Sequence, residues 1–486
     1  MEAIYKSRIC KFQWSPLWLI FLAFLASRSF YLLSLHIQFN ANPINNFWQF
    51  LDPVLLKTDL LRSIYYLHQQ PPLFNLFLGV ILKLFPEHWS VAFQLCYLLM
   101  GLVFALALFK LMVEMGVSPI IATSLTVIHA ILPATLLYEN WLFYEYPAAI
   151  LICLSALFLC RFSKYFKISD GVIFFGLLTI LMLTRGFFQP YWVIFFLLLL
   201  LYVCEPQGKL ILKAALFPML VIVIFAVKQY IVFGTWTTGD VYVGSNLAGR
   251  INQRIPSNLR QTFMQEYDLP PYFFAHPFQD MSQYKNFLPA IQPTGIPALD
   301  QEKKMHGSRN LNYIGYLLMT NGYASGFAKI TLHHPAFYFS SFSSTWRYFL
   351  PSSEDAGALG PNQNAIMDTL LHYSNMLFCG QWQRMRNGIF LMIAFPVIIL
   401  FGLIEAIRKC GKRTAAQRAY QLTMFYMVTN IVYVSFIAVA VSLGDYNRYR
   451  FIIDSFYLVI FAVMLHRIQQ YIIWKRTEPE KYKAIS

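Results

Sequence analysis

The feature that most constrains this chain is a set of apolar runs of about 18 to 20 residues, each almost free of charge. Residues 90–109, for example, hold no charged side chain. In hydrocarbon every backbone N–H and C=O must find a partner within the protein, which leaves helices or closed barrels. The short alternating segments of barrel strands are absent, so the runs read as helices. Composition agrees: 57% of residues are hydrophobic and 13% charged, against about 25% charged in soluble domains. The expected fold class is an all-α polytopic membrane protein.

About ten spans are expected, near residues 16–36, 90–110, 118–137, 147–163, 170–184, 187–204, 210–233, 389–407, 419–443 and 451–466. The first follows Lys6, Arg8 and Lys11, and is read as an uncleaved span. The apolar stretch Phe74 to Phe85 is too short to cross, and reads as a half-buried interfacial helix. With that assignment, the short segments on the side of the N-terminus hold 19 Lys and Arg, and those opposite hold 6. The bias places both termini in the cytoplasm. It also divides the chain into an N-terminal transmembrane module (1–233, with a first external loop at 37–89), a long non-cytoplasmic loop (234–388), and a C-terminal module with a basic tail (389–486). Within the long loop a helical pattern lies near 308–325, and Lys329 to Leu350 read as an amphipathic interfacial helix.

The formal charge of +15 does not indicate nucleic acid, because the basic residues cluster at the ends of apolar runs. Seven cysteines show no CxxC or metal-ligand spacing, so no disulfide framework is expected.

Four polar segments stand out on the external side. The first loop contains Asp52, which lies 19 residues before Pro71, and His68-Gln69-Gln70-Pro71-Pro72-Leu73 opens the short helix. Asp52 reads as a helix N-cap, a solvated loop acid or a functional carboxylate, whereas Asp59 is expected to pair with Arg62. Glu139 and Glu145 flank a turn at the head of a span, where Trp141, Tyr144 and Tyr146 read as an aromatic belt with the glutamates facing water. Arg185 lies in Leu183-Thr184-Arg185-Gly186. Asp445, Arg448 and Arg450 precede the last span on the side that disfavours arginine, which suggests an anionic partner there. Arg28 and Lys228 are costly charges within spans, expected to pair or snorkel.

In this order the segments resemble the GT-C superfamily of membrane glycosyltransferases, near protein O-mannosyltransferases and lipid A aminoarabinose transferases. The resemblance rests on Asp52, Gln70-Pro71-Pro72-Leu73, Glu145-Tyr146-Pro147, Thr184-Arg185-Gly186 and Arg448-Tyr449-Arg450. It covers residues 16–204 and 440–466. It departs where the family has a histidine (here Gln70), where an acid usually follows Asp52 (here Pro53), and in having Glu145 as the second acid.

The resemblance implies a GT-C-like bundle with juxtamembrane helices in the first loop. It also implies a sugar donor on polyprenyl phosphate and a lipid, glycan or protein acceptor. Asp52 would be the base. Glu145 would orient the acceptor or help hold a divalent cation. Arg185, Arg448 and Arg450, with His68, would bind the phosphate, and Gln70, Glu139 and Asp445 would complete substrate binding. The competing expectation is a transporter or lipid flippase. The external loops hold no glycosylation sequon, which favours a bacterial inner membrane.

Overall fold

The computed structural model describes residues 14–352, 360–362, 365–379, 389–408, 414–444 and 446–483. Asp445 lies outside the described residues, as do Lys6, Arg8 and Lys11.

Every expected apolar run is helical. In chain order the principal helices are α1 (Trp14–Ser29), α2 (Pro53–Thr58), α3 (Leu60–Tyr65), α4 (Pro72–Leu84), α5 (Trp89–Glu114), α6 (Pro119–Ile131), α7 (Pro133–Glu139), α8 (Glu145–Tyr165), α9 (Ile168–Met182), α10 (Pro190–Val203), α11 (Gly208–Phe233), α12 (Asp240–Asn252), α13 (Ser257–Glu266), α14 (Ile314–His333), α15 (Ile389–Ile407), α16 (Ala415–Phe436), α17 (Tyr446–Phe451) and α18 (Asp454–Lys483). Among the described residues there is no strand beyond two isolated bridges.

Among the described residues seven helices are long and apolar enough to cross a membrane, and eight if the bent pair α6–α7 is one span. The expected single span at 118–137 is therefore broken. Leu132 takes an extended conformation ahead of Pro133, and the two halves diverge by 58°. Helices α9 and α10 have 15 and 14 residues, roughly 21–23 Å of rise.

Proline opens α2, α4, α6, α7 and α10, where its missing N–H is harmless and its fixed φ suits the first turn. The helices bury Tyr97, Phe104, Ile152, Met427 and Ile460 between them, and leave Leu99, Leu216 and Phe217 exposed on the outside. An apolar exterior around an apolar core suits a lipid surround.

Backbone hydrogen bonds gather several loops at one end of the bundle. Asn40 N–H donates to the Asn140 carbonyl at 2.7 Å, and Leu73 N–H to that of Leu183 at 2.8 Å. Lys228 reaches the Tyr65 carbonyl at 2.7 Å, and the Tyr338 hydroxyl that of Ala440 at 2.8 Å. The opposite end is tied by ion pairs, Lys164 with Glu114 at 2.9 Å and Arg467 with Glu405 at 3.2 Å.

The long segment after α11 has its own apolar core, in which Phe273, Tyr284, Leu311 and Tyr323 are packed between α12, α13 and α14. Two expectations need correction here. The helix expected near 308–325 runs Ile314–His333 instead. Residues Lys329 to Leu350 are not one helix: the chain breaks at His334, because Pro335 disfavours helical geometry at the residue before it. A short helix Pro335–Ser340 and a 3-10 segment Ser341–Phe349 follow.

Candidate functional site

The turn before α8 is held by the Tyr97 hydroxyl, which donates to the Phe143 carbonyl at 2.6 Å. Glu145 follows as the first residue of α8. Where α9 ends, the Thr184 hydroxyl and the Arg185 N–H return to the Ile180 and Leu181 carbonyls. This projects Arg185 from a tight turn. Short α17 carries Arg448. The three side chains meet although the sequence separates them widely: Glu145 Oε1 lies 3.2 Å from Arg185 Nη2 and 3.4 Å from Arg448 Nε. All three are buried.

Aromatic faces line the cations. The Arg185 guanidinium sits 4.3 Å from the Tyr144 ring centre and 4.8 Å from that of Tyr449, and Arg448 lies 5.2 Å from Phe143. Such contacts strengthen when water is excluded. Two cations share one carboxylate, so this group carries a surplus positive charge and favours an anion.

Arg185 and Arg448 form part of the wall of a cavity of about 530 Å³, within the range of small-molecule sites. Gln70, Tyr144 and Tyr449 line it beside the arginines, and Trp48, Gln49 and His276 also contribute. Gln49 Oε1, Trp48 Nε1 and Arg185 Nε are buried, with no hydrogen-bond partner among the described residues. A buried polar atom left unsatisfied costs about 1–3 kcal/mol, a demand that a polar ligand would meet. The rest of the lining mixes the polar side chains of Gln189, Asn246, Gln253 and Ser442 with an apolar stretch: Tyr191 from the head of α10, and Ile437 and Val441 from the π-turn after α16. Tyr191 is 59% exposed and Phe436 is 62% exposed, so the rim adjoins the outer, lipid-facing surface of those helices.

The other sequence-derived candidates lie elsewhere. Asp52 caps α2: its Oδ1 accepts from Val54 N–H at 2.8 Å, and its Oδ2 from Met305 N–H at 2.6 Å. It does not line the cavity. Beside it, Lys304 donates to the Phe47 carbonyl at 2.6 Å. Burial pushes that ammonium down to about 7, while the Asp52 charge works in the opposite direction.

His68 Nε2 is 2.9 Å from the Asn312 carbonyl oxygen. Burial, helped by the charge of Lys228, lowers its imidazole to about 4 even though the Asn312 contact favours protonation. His68 is thus a neutral group, outside the cavity lining. Arg450 bonds Asp454 and Ser352, each at 3.0 Å, and the Tyr348 carbonyl. Glu139 is clasped by Arg28.

Arg62 donates to the Gly295 carbonyl at 2.9 Å, and no ion pair joins it to Asp59 among the described residues. The expected aromatic belt is also absent: Trp141, Tyr144, Tyr146 and both glutamates are buried.

Of the expected set, then, Arg185, Arg448 and Gln70 line the cavity, and Glu145 stands behind the two arginines. Trp48, Gln49 and His276 were missed. They lie in loops without a motif, and only the unusual density of aromatic and amide side chains around Trp48 hinted at them.

Among the described residues no three His, Cys, Asp or Glu side chains group as metal ligands would. Glu145 faces two guanidiniums and Asp52 is capped by two amides, so neither carboxylate offers the surroundings a resident divalent cation requires. No family model matches the chain, and neither a curated protein nor a solved structure matches it.

Proposed function

We propose that this chain is a membrane glycosyltransferase of the GT-C kind, moving a sugar from a polyprenyl-phosphate donor to an acceptor hydroxyl on the non-cytoplasmic face, with inversion at the anomeric carbon. The observation that carries the reading is the buried pair Arg185 and Arg448 sharing Glu145 at the wall of a cavity whose lining also holds the apolar stretch Tyr191, Ile437 and Val441. A phosphate meets the surplus charge, and its prenyl chain suits a rim formed by Tyr191, Ile437 and Val441. Guanidiniums held in place before the reaction stabilise charge as it develops on the departing phosphate. Glu145 keeps them apart and oriented. The orphaned Gln49 and Trp48 atoms offer hydrogen bonds to sugar hydroxyls. The further elements of the reading are about ten spans, supported by the apolar runs, cytoplasmic termini, supported by the Lys and Arg bias, and a bacterial inner membrane, supported by external loops without a glycosylation sequon.

One observation favours a second reading, a transporter or flippase: the helix broken by 58° between α6 and α7, since discontinuous helices are common in transporters. Purified protein in proteoliposomes, given radiolabelled hexosyl and pentosyl polyprenyl phosphates with alcohol acceptors, distinguishes the two. The transferase reading expects a labelled glycoside and free polyprenyl phosphate, with a loss of about a hundredfold in Arg185→Gln or Arg448→Gln. Movement of intact donor across the bilayer with no bond cleaved would favour the transporter instead.

A further inference from the structure

We propose that His276, in the long loop between α13 and α14, is the general base of this site and takes the proton from the acceptor hydroxyl. The inference rests on the transferase reading above.

The first support is the hydrogen-bonding state of the ring. His276 Nδ1 lies 2.8 Å from the Pro277 carbonyl oxygen. A carbonyl only accepts, so Nδ1 carries the hydrogen and Nε2 keeps a lone pair. Among the described residues Nε2 has no hydrogen-bond partner, and the residue lines the same cavity as Arg185 and Arg448.

Second, the backbone around His276 is firmly held. The Tyr284 hydroxyl donates to the His276 carbonyl at 2.6 Å and accepts from Gln279 N–H at 3.1 Å. The Tyr316 hydroxyl donates to the Gln279 carbonyl at 2.8 Å. Phe278, two residues on, has φ of 65°, uncommon for a bulky side chain. Strained geometry persists where the surroundings over-determine it, and such positions cluster at functional sites. Here Phe278 stacks on Trp48 with ring centres 6.1 Å apart, and packs against Tyr242 at 5.6 Å. First loop and long loop are thereby closed together at the cavity.

Third, the carboxylates are otherwise engaged. Glu145 Oε1 sits between two guanidiniums, and Asp52 holds two backbone amides away from the cavity. The described part of the cavity wall includes no Asp or Glu.

Nε2 takes the hydroxyl proton while the acceptor oxygen forms a bond to the anomeric carbon. The bond from that carbon to the phosphate oxygen breaks, and its electron pair leaves with polyprenyl phosphate, held by Arg185 and Arg448. The imidazolium then returns its proton to water.

The test uses His276→Ala and His276→Gln in the full-length protein, checked by melting temperature and by affinity for polyprenyl phosphate alone. The base role expects kcat to fall a hundredfold or more in at least one folded variant, with polyprenyl phosphate affinity unchanged. The acid limb of the pH–rate profile should vanish, and added imidazole should restore part of the His276→Ala rate. Wild-type turnover in a folded variant would overturn the base role alone, leaving the transferase standing. Equal loss of polyprenyl phosphate affinity and rate, or unfolding of both variants, would make His276 architectural and also overturn it. A wild-type protein that cleaves none of the glycosyl donors would overturn the transferase reading and the base with it.

Discussion

Arg28 and Glu139, 111 residues apart, form a buried double hydrogen bond: Nε to Oε1 at 3.0 Å and Nη2 to Oε2 at 2.6 Å. The same guanidinium donates to the Ala130 carbonyl at 2.6 Å, one of the groups freed where α6 ends, and Tyr146 donates to Glu139 Oε2 at 2.8 Å. One arginine therefore ties α1 to both halves of the broken helix. Removing either partner strands a charge away from water, at a cost of about 3–5 kcal/mol. Arg28→Ala and Glu139→Ala should each lower the melting temperature in detergent sharply, and Arg28→Met with Glu139→Gln should recover much of the loss. Single variants that melt like the wild type would show that the pair contributes no net stability.

Asp52 invites a different experiment, because its two oxygens serve backbone amides on two segments. Asp52→Ala should lose the α2 cap and the contact to Met305, destabilising the protein by about 1–2 kcal/mol. Asp52→Asn retains one accepting oxygen. With the proton passing to His276, its glycosyl transfer should remain within about tenfold of wild type, a barrier change of roughly 1.4 kcal/mol. Complete loss of transfer in a folded Asp52→Asn protein would return the base to the first loop.

His68 predicts how stability changes with acid. Its folded value is depressed to about 4 by burial, whereas an unfolded imidazole titrates near 6.5. Between these values the unfolded chain binds more protons, so stability rises with pH across that interval. The contribution should be complete above about pH 6.5 and lost as pH falls towards 4, a change on the order of 3 kcal/mol. Melting temperatures measured from pH 4 to 7 should slope upward in the wild type and flatten in His68→Gln. An unchanged slope would assign the acid sensitivity to other groups.

The helices were legible in the sequence because hydropathy averages over many residues and tolerates a misplaced charge. Proline likewise marked the start of α4 through its own geometry, whereas Pro133, which opens α7, falls unremarked inside an expected single span. Choices of partner were harder to read. Glu139 and Glu145 are six residues apart with similar neighbours, yet one binds Arg28 and the other Arg185 and Arg448. That choice depends on how α1, α9 and α17 pack around the turn, which no local pattern encodes. Asp52 and His276 show the same limit from opposite sides. The acid in a motif-like setting is a helix cap, and the imidazole in a segment without a motif lines the cavity.

Gly249, inside α12, lies between the loop that carries His276 and the loop that leads to α17 and Arg448. A Cβ built there would lie 2.8 Å from Pro277 Cγ and 2.9 Å from Leu443 Cδ1. Replacing glycine by alanine inside a helix ordinarily gains about 1 kcal/mol, but here the added methyl must displace a proline ring or a leucine. Pro277 is rigid and adjoins His276, so crowding should move the imidazole. Displaced Leu443 should shift the loop leading to α17. Gly249→Ala is therefore expected to lower kcat and weaken polyprenyl phosphate binding together. Gly176→Ala in α9, with nothing within 4 Å of its Cβ position, should leave both unchanged and serves as the control. Kinetics of the two variants at matched stability decide the matter: if Gly249→Ala behaves like Gly176→Ala, the close approach of α12 to the two loops is not what positions the site.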